Sequence, residues 1–130
     1  MDKQQRLEAI NKIIKAIGER GRGFFSDKKG NVAHFVLVGG QRKRLHFRNA
    51  DGTNVNPYDL RRDYNFQGGG TLWALVHDFK DFILLGGHTN GKHGYGGLLA
   101  SGWGYADHEM DEIIVLAREV GFLRQLTTTV

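Results

Sequence analysis

Two histidines, His88 and His93, flank a Gly91-Lys92 pair in the stretch LLGGHTNGKHGYGG, residues 84–97. With Gly86, the pair spells most of G-x-x-x-x-G-K-[ST], the pattern whose backbone amides cradle phosphates. The chemistry on offer is therefore phosphate binding or, through the imidazoles, metal ligation. The phosphate reading needs a strand before the loop, a helix after it and a hydroxyl following the lysine. Here the preceding segment has helical spacing, and His93 stands where the hydroxyl should be. Gly94, Gly96 and Gly97 would break any helix that followed. For a metal, His88, His93, Asp107 and His108 are the candidate ligands, but no H-E-x-x-H pair occurs and no rigid element fixes their spacing. The expectation is no resident metal and no cofactor.

Nucleophilic catalysis has equally little to build on. There is no cysteine, and neither serine, Ser26 or Ser101, lies in G-x-S-x-G. The carboxylates Asp78 and Asp81 fall on positions expected to face solvent. The pattern points to a binding protein, with a metal-dependent hydrolase using the loop histidines as the remotest alternative.

Binding chemistry is better represented. QRKRLHFR places Arg42, Lys43, Arg44, His46 and Arg48 in one expected hairpin. Arg20, Arg22, Lys28 and Lys29 lie in neighbouring turns, and Arg61 and Arg62 follow. Phe24, Phe47 and Tyr58 are interleaved and would stack bases if exposed. The competing interpretation is a solvated sheet edge, where cations also guard against aggregation. No helix-turn-helix, RNP or KH signature is present. The glycine-rich segment, with eight glycines between Gly86 and Gly104, also carries Tyr95, Leu98, Leu99, Trp103 and Tyr105. A loop this long is uncommon in a compact domain unless it works or moves. It is expected to be a recognition or bridging loop held by its aromatic residues. The candidate partner-binding residues are thus Arg42, Lys43, Arg44, Arg48, Arg61, Arg62, Tyr95, Trp103 and Tyr105.

These residues must be positioned by elements that the periodicity outlines. Leu7, Ile10, Ile14 and Ile17, with Ile13 beside them, predict an amphipathic helix over residues 3–17, stopped by Gly18 and Gly21. Runs at Phe24-Phe25, Val32–Val38 and Leu45–Phe47, separated by glycine-containing turns and followed by Asp51-Gly52, predict an antiparallel meander of three or four strands. Thr71 is expected to cap a helix, LWALVHDFKDFILL, with Leu72, Leu75, Val76, Phe79 and Ile83 inward and Asp78, Lys80 and Asp81 in solvent. Asp107 is expected to cap a last helix with Met110, Ile113, Ile114 and Ala117 inward and Gly121 at its end.

The 130 residues suit one α+β domain, 1–130, with an N-terminal helix, the meander, and two C-terminal helices joined by the glycine-rich loop. No apolar run approaches the ~20 residues a membrane span needs, and a cytoplasmic protein is expected. Charge is uneven. Residues 1–65 carry 14 Lys/Arg against 7 Asp/Glu (+7), and residues 66–130 carry 4 against 7 (−3), which together give the net +4. The first half is expected to meet an acidic partner.

Three stretches, GRGFF with its hairpin, FQGGGTLWALVHDFKDFI and WGYADHEMDEIIVLAREVGFL, resemble a group of small proteins encoded by tailed bacteriophages and prophages. The matching positions are Phe66, Gly69, Gly70, Thr71, Leu72, Trp103, Gly104 and Tyr105. The stretch GGHTNGKHGYGGLLASG departs from the group's usual loop. The group has no established activity, so the resemblance assigns no catalytic residue. It implies an accessory protein acting in the cytoplasm of an infected or lysogenic bacterium. Small phage proteins of this size often bind a host protein or ribonucleoprotein complex, anti-CRISPRs and other inhibitors of host defence among them. Direct nucleic-acid binding through the basic hairpins is the second function class.

Overall fold

The computed structural model describes residues 1–20, 25–41, 43–55, 69–87, 98 and 106–123, with side chains from residue 75 onward in the helix that begins at 69. Helix α1 spans Lys3–Gly18, strands β1, β2 and β3 span His34–Val38, Arg44–Arg48 and Asn54–Val55, and helices α2 and α3 span Gly69–Leu85 and Asp107–Glu119. This is the expected α+β order.

Helix α1 begins with a capping box. The Asp2 carboxylate accepts from the Gln5 N–H at 2.8 Å, and Gln5 Oε1 accepts from the Asp2 N–H at 2.9 Å. The pair satisfies two backbone donors that the first turn leaves without intrahelical partners. Leu7, Ile10, Ile13, Ile14 and Ile17 are all buried, as their spacing predicts. The stop differs from expectation. Gly18 lies inside the last turn and Glu19 is the cap. A Cβ at Gly18 would reach van der Waals contact with the Phe25 backbone at 3.4 Å, and the Gly18 carbonyl accepts from Ser26 Oγ at 2.9 Å.

The sheet is an antiparallel meander in the order β1-β2-β3. Phe35 pairs with Phe47 and Leu37 with Leu45 on one face; His34 pairs with Arg48, Val36 with His46 and Val38 with Arg44 on the other. Phe35, Leu45, Phe47 and Val55 are buried, and the Phe35 and Phe47 rings meet at 5.0 Å. Of the strand expected at Phe24-Phe25, Phe24 lies outside the described residues, and beside Phe25 the structure shows a single bridge, Ser26 to Val32; the third strand is Asn54–Val55. Phe25 keeps one backbone bond to this stretch, its carbonyl accepting from the Ala33 N–H at 2.7 Å, and its buried ring packs edge-on against Phe47 at 6.1 Å. Gly52, at φ +88°, permits the turn between β2 and β3.

Helix α1 is the hub: it packs against β1, α2 and α3. It is also tied to β1 by a side chain. Asn11 Nδ2 donates to the Phe35 carbonyl at 3.0 Å, while Asn11 Oδ1 accepts from the Phe35 N–H at 2.7 Å.

Helix α2 already begins at Gly69, so Thr71 lies within its first turn and is not the cap. Leu75, Val76, Phe79, Phe82 and Ile83 are buried. Gly86, at φ +78°, ends the helix with its N–H bonded to the Phe82 carbonyl at 2.9 Å. The last turn of α2 contains no basic residue. Arg6 of α1 supplies the cation instead, donating from Nε to the Ile83 carbonyl at 3.0 Å.

Helix α3 is capped by Ala106 without a side-chain bond; Asp107 is its first residue. There Asp107 and Glu109 complement the positive end of the helix dipole. Met110, Ile113 and Ala117 form the buried stripe. Ile114, expected inside, is only half-buried, because it stands about 100° around the helix from Ile113. The helix ends in a Schellman motif. Gly121, at φ +89°, lets the Phe122 N–H reach the Ala117 carbonyl at 2.9 Å and the Gly121 N–H reach the Arg118 carbonyl at 3.2 Å. Phe122 then enters the core between Phe79 and Phe82, at 5.1 and 5.2 Å.

Candidate interaction face

Alternation along β1 and β2 sends one set of side chains to the core and the other outward. The outward set is His34, Val36 and Val38 from β1, with Arg48, His46 and Arg44 opposite them on β2. Lys43 precedes Arg44 in the connecting turn, and both are exposed. Arg48 is half-buried and donates from Nε to Asn54 Oδ1 at 3.1 Å, which anchors it to β3. Val38 is 41% exposed beside Arg44. The face therefore combines cations with uncovered valine.

The two ends of the sheet differ. At the start of β1, Asp27 accepts from the Asn31 side chain at 2.9 Å and from the N–H groups of Asn31 and Lys29, each at 2.9 Å. These bonds, that of the Asn31 side chain foremost, hold its carboxyl below the usual carboxylate range. Asp51, in the turn after β2, is lowered mainly by the Thr53 N–H, with Asp27 near enough to oppose the shift slightly. The two carboxylates share this end with Lys28 and Lys29. The opposite end carries Lys43 and Arg44.

Of the expected partner-binding residues, the structure places Lys43 and Arg44 at one end of the sheet and Arg48 on the same face at the other end, opposite His34. Arg42, Arg61, Arg62, Tyr95, Trp103 and Tyr105 lie outside the described residues, as do His88, His93 and the body of the glycine-rich loop. Leu98 of that loop is buried in the core. Arg20 does not join the basic face: its Nη2 lies 2.8 Å from Glu112 Oε2, bracing α1 against α3. Phe47, counted as a base-stacking residue if exposed, is 1% exposed and belongs to the core, because its inward register puts it opposite Phe35.

Among the described residues, no group of three or more His, Asp or Glu side chains could hold a metal ion. Asp107 and His108 are exposed on α3.

A polar strip on α2 escaped the sequence reading. Asp78, expected in solvent, is 1% exposed, and His77 is 3% exposed. Lys80 and Asp81 are largely covered as well. Lys80 Nζ lies 3.3 Å from Asp81 Oδ1 and 3.5 Å from His77 Nδ1. All four make further interactions, as groups withdrawn from water must. The helical wheel could not show this, because it assigns polar residues to solvent whether or not the protein covers both sides of the helix. The signal present was that charged residues interrupt an otherwise continuous apolar run.

A family model described as YoqU matches residues 1–130. The chain belongs to the YoqU family. A curated relative, the SPbeta prophage-derived uncharacterized protein YoqU of Bacillus subtilis (strain 168), is 30% identical over 123 residues. The match covers 92% of this chain and 83% of the relative. The resemblance to prophage proteins seen in the GGTL and WGY stretches thus rests on a YoqU match along the whole chain. No solved structure matches it. Among the described residues, no helix of this YoqU-family chain is long and apolar enough to cross a membrane.

Proposed function

We propose that this chain is a non-enzymatic prophage accessory protein that binds a macromolecular host partner, in its most specific form an inhibitor of host defence of the anti-CRISPR kind. The observation that carries the binding reading is the outer face of β1 and β2. It gathers Lys43, Arg44, His46 and Arg48 around exposed valine and leaves them on a rigid sheet rather than in a core. Rigid, partly apolar faces with charged borders suit recognition of another macromolecule. Membership of a prophage-associated family supports the accessory role.

Direct nucleic-acid binding is the second reading, favoured by the concentration of cations at the Lys43–Arg44 end. A pull-down from host lysate with and without nuclease separates the two. Expected is a protein that stays bound after nuclease treatment. Recovery of nucleic acid alone overturns the first reading in favour of the second.

A further inference from the structure

We infer that the outer face of β1 and β2 docks an acidic protein segment that carries apolar residues among its carboxylates; this rests on the macromolecule-binding reading above and names the chemistry of the partner. The charge argument is direct. Lys43 and Arg44 stand exposed at one end of the sheet, with His46 and Arg48 continuing along β2. Among the described residues of β1 and β2 there is no carboxylate; Asp27 and Asp51 belong to turns at the far end and are engaged by Asn31, Lys29 and Thr53.

The apolar argument selects protein over nucleic acid. Val38 stands beside Arg44, and Val36 beside His46. A phosphate backbone offers these valines nothing, whereas an acidic segment with leucine-like residues covers them and meets the cations together. Single-strand binding would call for aromatic platforms; Phe24 and Tyr58 lie outside the described residues, and among the described residues of the sheet region Phe25, Phe35 and Phe47 are all buried in the core. Polar–apolar mixing on a rigid strand pair is the composition of interfaces whose centre is apolar and whose rim is charged. Among the described residues, the exposed Asp111, Val115 and Glu119 of α3 form a surface of complementary character, so a second copy must be tested as a rival occupant.

The test uses the full chain and a fluorescent ten-residue peptide of alternating Glu and Leu. Controls are the same peptide with Gln for Glu, the same with Ser for Leu, and a 20-base-pair duplex. Expected is saturable binding of the Glu-Leu peptide, weakened at least tenfold by Lys43→Glu with Arg44→Glu, and by severalfold by Val38→Ser. Each control peptide should bind several times more weakly than the parent. Circular dichroism melts confirm that the variants, all at exposed positions, remain folded. Absence of peptide binding, or equal binding by the charge-reversed variant, overturns the inference. So does tighter binding of the duplex than of the peptide at physiological salt. Sedimentation that shows self-association abolished by Glu119→Lys assigns the face to a second copy and also overturns it. The underlying reading fails separately: if nuclease-resistant capture from lysate persists in the charge-reversed variant, partner binding stands and only its place on this face falls.

Discussion

The β1–β2 ribbon and helix α2 manage polar residues in opposite ways. On the ribbon, every second residue turns outward, so Arg44, His46 and Arg48 reach the surface while Leu45 and Phe47 fill the core. On α2, His77 and Asp78 are as deeply buried as Leu75 and Phe79. A two-residue period divides a strand cleanly between two environments. A helix has no such division when protein lies around its whole circumference, and its polar groups must then be satisfied within. Polarity on the ribbon thus reaches the surface, whereas polarity on α2 is enclosed by the fold.

The contrast can be broken most severely from the core side. Phe79→Ala removes a fully buried ring that contacts Phe122, and it should cost about 3–5 kcal/mol in a denaturant titration. A loss under about 1 kcal/mol would mean that α2 is not held as described.

Next comes the polar strip. Asp78→Ala strips a buried carboxylate from its partners, and the loss should be about 2–4 kcal/mol. Were this variant as stable as the parent, Asp78 would be a surface residue, as the helical wheel had it.

Asn11→Ala leaves the Phe35 N–H and carbonyl without their side-chain partner, for an expected loss of about 1–3 kcal/mol. Asn11→Asp should be worse than Asn11→Gln only if the donating Nδ2 matters, and a pair of melts decides that.

At the mild end stands the basic face. Lys43→Ala with Arg44→Ala should change stability by less than about 0.5 kcal/mol, while removing most binding to an acidic probe. A large stability loss would show that these cations are structural and would collapse the distinction between the two regions.

The turn carboxylates refine the picture through pH. Asp27 and Asp51 have folded values below their ordinary ones. Their contribution is therefore present above the ordinary carboxylate pKa and fades as pH falls through the lowered folded values. Asp27→Asn should flatten the acid side of the stability profile, and an unchanged profile would show the Asn31 contacts to be inconsequential.

How much of this was legible follows from the same contrast. Helix α1 was readable because Leu7, Ile10, Ile14 and Ile17 recur on one face and the hub position buries that face fully. The meander was readable because its alternation is strict from Arg44 to Arg48. The third strand was not, since Asn54-Val55 is two residues long and no pattern can declare itself over that length. Capping was misread at Thr71 and Asp107 because a residue's preference for a cap does not fix the residue at which the helix starts. The Asp2 and Gln5 box has the sequence signature of a helix start and was open to view. Phe122 was missed because it follows a helix rather than lying in one; only the turn at Gly121 aims it inward. For the candidate face, Lys43, Arg44 and Arg48 were recognisable by charge alone. Valine's share in it was not, because Val36 and Val38 sit in an apolar run that resembles core throughout.

The paired bonds between Asn11 and Phe35 let a helix side chain stand in for a neighbouring strand at the edge of β1. In deuterium exchange, the amide of an edge-strand residue would ordinarily be labelled by local fraying of the sheet. Here the Phe35 amide is locked at 2.7 Å by a group 24 residues earlier in the chain, so it should exchange only when α1 lifts away. Its exchange rate then reports the opening of helix and sheet as one cooperative unit.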